Sequence, residues 1–109
     1  MMYPSPSDPL SAPVWENYVV AQVVQASLGL IPEGALAVGV RVEGTLVSLV
    51  VQLSESTSRE SDDIDDIRTT LDDLLGPEVS VEVITEHLRD RRVSPYDGIR
   101  WVYLRRVED

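Results

Sequence analysis

The residues with the most evident chemical potential are paired carboxylates: Asp62-Asp63, Asp65-Asp66 and Asp72-Asp73. Carboxylates that converge in a cleft can hydrolyse glycosidic bonds or hold magnesium. Here the spacing puts Asp62, Asp65, Asp66, Asp72 and Asp73 on the outer face of an amphipathic helix, spread and solvated. A recognition surface or a plain solvated face is expected there, rather than a metal or acid–base site. His87 is the single histidine, so any imidazole scheme depends on one residue. Glu86, His87 and Asp90 lie close together but match no metal-ligand spacing. A hydrolytic triad lacks its Gly-x-Ser-x-Gly elbow, and the glycines are scattered as turn residues rather than gathered in a phosphate loop. No enzyme, catalytic residue, cofactor or metal is therefore expected.

Charge points instead to a protein partner. The 109 residues carry nine Arg, no Lys and 19 acids, a formal charge of −10. Phosphate backbones and anionic membranes repel such a chain, so neither nucleic acid nor membrane is an expected partner. A basic protein is. From Glu55 to Asp73 eight acids face only Arg59 and Arg68, a field that would steer a basic partner. Residues 89–106 hold six Arg against Asp90 and Asp97 and are expected to pair with this acidic helix. The absence of cysteine removes disulfides, thiol catalysis and thiolate zinc sites. No apolar run is long enough for a membrane helix, and the start lacks the pattern of a signal peptide. A cytoplasmic protein, or one exported without a Sec-type signal, is expected.

The elements that must position these residues follow from periodicity. Residues 1–13, with Pro4, Pro6, Pro9 and Pro13, read as a disordered proline-rich tail, and 14–109 as one α+β domain. A first helix is expected over 13–28. Its stripe of Trp15, Tyr18, Val19, Val23 and Ala26 faces the sheet, and a second stripe of Val20, Val24 and Leu28 is expected to be buried too, in the monomer or in an assembly. Residues 35–53 read as a hairpin turning at Glu43-Gly44, which pairs Val40 with Val47 and Val38 with Leu49. This leaves Leu36, Val38, Val40, Val47, Leu49, Val51 and Leu53 on an apolar face. After a polar loop, 54–61, the acidic helix turns Ile64, Ile67, Leu71, Leu74 and Leu75 inward and stops at Gly76-Pro77. Strands over 79–86 and 98–106 complete an α-β-β-α-β-β order. Ile99, Trp101 and Tyr103 are expected to share one face of the last strand. The economical fold is a four-stranded, mostly antiparallel sheet with both helices on one face. Its other face, partly apolar at Ala37, Leu46 and Val50, is expected to be open to solvent or to a partner.

Several segments carry a resemblance. Ala21-Gln22 through Gln25-Ala26-Ser27-Leu28-Gly29, Ile31-Pro32 and Leu36-Ala37-Val38 are followed by a polar Ser/Glu loop and an Asp-rich helix. The end is Trp101-Val102-Tyr103-Leu104-Arg105-Arg106. In order and character this resembles the small bacterial immunity proteins of contact-dependent growth inhibition and related polymorphic toxin systems. The resemblance implies an antitoxin that binds and blocks a cognate toxin domain, frequently a basic nuclease, with no catalytic residue of its own. A small structural or regulatory homodimer, joined through Val20, Val24 and Leu28, is the alternative.

Overall fold

The computed structural model describes residues 12–54, 58–94 and 97–105. The proline-rich start before residue 12, the centre of the 54–61 loop, Pro95, Tyr96 and Arg106 lie outside the described residues. The elements run α1 (Ala12–Ser27), β1 (Ala35–Glu43), β2 (Leu46–Leu53), α2 (Ser58–Leu75), β3 (Ser80–His87) and β4 (Arg100–Leu104). The four strands form one sheet in the order β3-β2-β1-β4. β1 runs antiparallel to both β2 and β4, whereas β2 and β3 are parallel. The tight turn dictates the first relation. The parallel pair follows from α2, which carries the chain back along the sheet before β3 starts. The α+β class and its element order are thus as expected, with a mixed sheet.

The hairpin departs from the expected pairing by two residues. Val40 stands opposite Leu49, and Val38 opposite Val51; Glu43 pairs with Leu46 across a Gly44-Thr45 turn. Gly44 has φ +60°, and no other residue of the turn has a positive φ. That places glycine first of the two central residues, as a type II′ turn requires, rather than second. A two-residue slip keeps every side chain on its own face, so alternation alone does not resist it. One position does change. The register shifts between Ala35 and Ala37, so Ala35, paired with Leu53, joins the core in place of Leu36.

Both helices cover the same side of the sheet. Trp15, Val19, Val23 and Ala26 of α1 and Ile64, Ile67 and Leu71 of α2 close over Val38, Val40, Val47, Leu49, Val51 and Leu53. Trp15 also donates from Nε1 to the Gly44 carbonyl, 2.9 Å away, and ties α1 to the hairpin tip. Leu74 does not face inward as expected. It is 39% exposed, and Leu75 packs against the core instead. Leu75 lies eleven residues after Ile64, close to three whole turns, whereas Leu74 falls short by most of a right angle.

The opposite face is not open as expected. Ala37 and Val50 are buried, and only Leu46 remains exposed. The chain between β3 and β4 crosses this face. Gln52, itself buried, donates from Nε2 to the Arg92 carbonyl and accepts the Arg92 N–H at 2.9 Å. One side chain thus replaces a strand neighbour for the connection. Ile99 and Trp101 then lie directly on Gly39, whose place could not hold a Cβ: Ile99 Cγ2 and Trp101 Cε3 would be 2.6 and 2.7 Å from it. The register of β4 shifts between its partners Val38 and Gly39, so Tyr103 pairs at Val38 and Trp101 at Gly39. This irregularity separates Trp101 from Tyr103, which were expected on one face. Tyr103 packs with the helices and Trp101 lies over the outer side.

Candidate functional site

α2 is an 18-residue helix that buries Ile64, Ile67 and Leu71, with Glu60 a turn before Ile64, and leaves a mostly acidic surface outside. Asp62, Asp65, Asp66, Asp72 and Asp73 are all exposed. Burial of Ile64, Ile67 and Leu71 fixes the rotation of the helix, and the aspartates take the sides left to water. They divide by direction. Asp62, Asp66 and Asp73 point away from the sheet. Asp65 and Asp72, seven residues apart, share the side on which Ser61, Asp65 and Arg68 line a groove. Arg68 donates to Asp65 at 3.1 Å, an exposed pair within the helix. Among the described residues no ion pair reaches Asp62, Asp66, Asp72 or Asp73.

Among the described residues, the arginines of 89–105 form no ion pair with this surface, contrary to expectation. β4 forms the opposite edge of the sheet from β3 and α2. Arg100 pairs instead with Glu16 of α1 at 3.0 Å, and Arg91 donates to the Arg105 carbonyl at 2.7 Å. The molecule therefore has an acidic end and a basic edge. Residues 58–87 alone carry ten acids against Arg59 and Arg68.

Two cavities lie beside the sheet. The first, about 340 Å³, is the open groove between α2 and β3, with Leu53, Ile64, Val83 and Thr85 below and Asp65, Arg68 and His87 at the rim. His87 is the last residue of β3 and not a loop residue. The second, about 350 Å³, is on the outer face, where Arg41, Val50, Ile84, Glu86, Asp97 and Trp101 come together. Asp97 organises its wall. Its carboxylate accepts the Ser94 N–H at 3.1 Å, the Ile99 N–H at 3.0 Å and Trp101 Nε1–H at 3.1 Å. The Ile99 bond above all holds the Asp97 carboxyl below its ordinary value.

Val20, Val24 and Leu28 do not form a buried second stripe within the single chain. Val20 is partly buried against the core, but Val24 is 45% and Leu28 65% exposed, with Val14 on the same side of α1. The outer-face cluster of Gly39, Gln52, Asp97 and Trp101 did not emerge from the sequence reading. Gly39 in β1 and Gln52 in β2 were its available signals, since a glycine inside a strand marks a close approach and a glutamine among apolar neighbours a buried polar contact.

Among the described residues, no three of His, Cys, Asp or Glu are grouped so that they could hold a metal ion, and no helix is long and apolar enough to cross a membrane. Neither the protein-family models nor the curated proteins contain a match to the chain.

Proposed function

We propose that the chain is an immunity protein: it binds a cognate, basic toxin domain and neutralises it in the cytoplasm. The observation that carries this reading is the acidic surface of α2, where Asp62, Asp66 and Asp73 on the outward face and Asp72 on the groove side stand exposed without ion pairs among the described residues. Adjacent carboxylates repel one another, and Asp72 and Asp73 also oppose the helix dipole in the last turn, so the surface is unfavourable for the isolated helix. It becomes favourable against a positive surface such as a nuclease's substrate groove, whose phosphate charge it imitates. The partner, not this chain, then carries the chemistry. The test is to ask whether a gene beside this one encodes a toxin domain, to purify that domain and to mix the two. The expected result is a stable complex and loss of toxin activity; no complex and no protection would contradict the reading.

The exposed stripe of Val14, Val24 and Leu28 favours a second reading, a homodimer through α1. α1 carries one charge between Val14 and Ser27, Glu16, so it is a face on which two copies of an acidic chain could meet without strong repulsion. Sedimentation of the protein alone separates the readings: a dimer that Leu28→Ser dissolves supports this one, and a monomer contradicts it.

A further inference from the structure

β3 ends the sheet. β2 lies on one side of it, and no strand of the described residues lies on the other. The bonds from Ser80 N to Thr45 O (2.8 Å) and from Leu88 N to Leu53 O (2.9 Å) bracket the parallel ladder. They assign the even-numbered residues to β2. In a parallel pair the alternate residues direct their N–H and C=O away from the partner, so Val81, Val83, Thr85 and His87 turn theirs outward. Val81 and Val83 stand opposite the core residues Val47 and Leu49, so these same four side chains share the helix side of the sheet.

Natural edges are normally blocked by proline, bulges, brevity or a charge pointing inward. β3 is eight residues long with no proline and no register shift against β2. Its two acids, Glu82 and Glu86, pair with Ser48 and Gln52 and so belong to the outer face. What guards the edge is the surrounding negative charge. That charge repels the β3 edge of another copy and attracts a positively charged strand. The helix layer also leaves room. Val81 and Val83 face the core side yet are only partly buried, and the α2–β3 groove opens beside them.

We propose that β3 accepts an extended, basic segment of the partner protein as a fifth strand. The segment's backbone pairs with Val81, Val83, Thr85 and His87. Its alternate side chains enter the α2–β3 groove, apolar ones against Val83 and Ile64 and basic ones beside Asp65 at the rim. The inference rests on the acidic docking reading and adds the form in which the partner binds. β4, the other edge, has five residues and no acid of its own, so it offers the same segment no attractive charge.

The test uses the full chain and a short blocked peptide alternating arginine and valine, read by backbone amide NMR at low salt. Two control peptides accompany it: one N-methylated at two adjacent central residues, so that neither edge can pair, and one with glutamate for arginine. The arginine peptide is expected to shift the amides of residues 81–87 and 61–68. The methylated form should bind about ten-fold more weakly, the effect of losing a hydrogen bond or two, and the glutamate form not at all. Thr85→Pro removes one outward N–H without touching the β2 ladder and should weaken the arginine peptide by about ten-fold as well. If that variant does not fold by circular dichroism, the peptide pair decides alone. Equal binding of the methylated peptide, or shifts at β4 instead, overturns strand addition. In that case, weaker binding on reversal of Asp66 and Asp73 leaves the acidic docking reading standing. No binding by any basic peptide overturns both.

Discussion

Gly39→Ala tests how the connection between β3 and β4 is held on the sheet. An alanine Cβ would lie 2.6 Å from Ile99 Cγ2, 2.7 Å from Trp101 Cε3 and 3.1 Å from the Arg100 carbonyl oxygen. Carbon atoms pack best at about 3.5–4.0 Å, so both side chains must retreat by about 1 Å. Neither is free to do so. Trp101 is tethered through Nε1 to Asp97, and Asp97 also accepts the Ile99 N–H. Overpacking of this kind costs about 1–3 kcal/mol. Alanine recovers about 0.5–1 kcal/mol of strand propensity, so the middles of the two ranges leave a net loss of about 1 kcal/mol. Urea unfolding followed by tryptophan fluorescence should show a midpoint lower by about 1 M with an unchanged slope. Adding Ile99→Ala and Trp101→Leu should make Gly39→Ala nearly neutral, since the crowding atoms are then gone. A Gly39→Ala protein as stable as the parent would refute the placement of Trp101 on this strand.

Gln52→Leu leaves the Arg92 N–H and C=O without their partner and should cost about 1–3 kcal/mol, with faster hydrogen exchange at the Arg92 amide as the direct readout. The Asp97 carboxyl titrates below its ordinary value, so its contribution is complete above that ordinary value and is lost as pH falls through the lowered one. Exchange of the Trp101 indole N–H, followed down the pH scale, should therefore stay slow through the ordinary aspartate range and rise only below it. Leu71→Ala, at a fully buried position, should lose about 2–5 kcal/mol in denaturant unfolding, whereas Leu74→Ala should stay within about 0.5 kcal/mol.

Much of the layering was legible because it depends on local period. Ile64, Ile67 and Leu71 could only face one way, and that placed the aspartates in water before any tertiary contact was considered. Period-two alternation likewise separated the two faces of the hairpin, but it is blind to a slip of two residues, and Gly44 moved the turn by one position. Irregularities escaped for a related reason. The shifts near Ala35 and in β4 change which side chains share a face without leaving a mark in local hydropathy, and so Trp101 parted from Tyr103. The neighbours of each strand are set by long-range packing. Nothing in Val79 to Glu86 itself told that this segment would form an edge, or that Arg100 of β4 would lie across the sheet from the acids it was expected to neutralise.

The central claim is that the outward aspartates of α2 recruit a basic partner. Asp66→Arg with Asp73→Arg tests it, because each reversal adds two units and the pair takes the formal charge from −10 to −6 without touching the core. The measurement is the association rate with the toxin domain that the proposed function calls for, once identified from the neighbouring genes and purified, over a series of salt concentrations. The double variant should fold as the parent does by circular dichroism and associate about ten-fold more slowly at low salt, with the gap closing as salt screens the field. An unchanged association rate and undiminished protection from the toxin would show that α2 is only a solvated face and would contradict the claim.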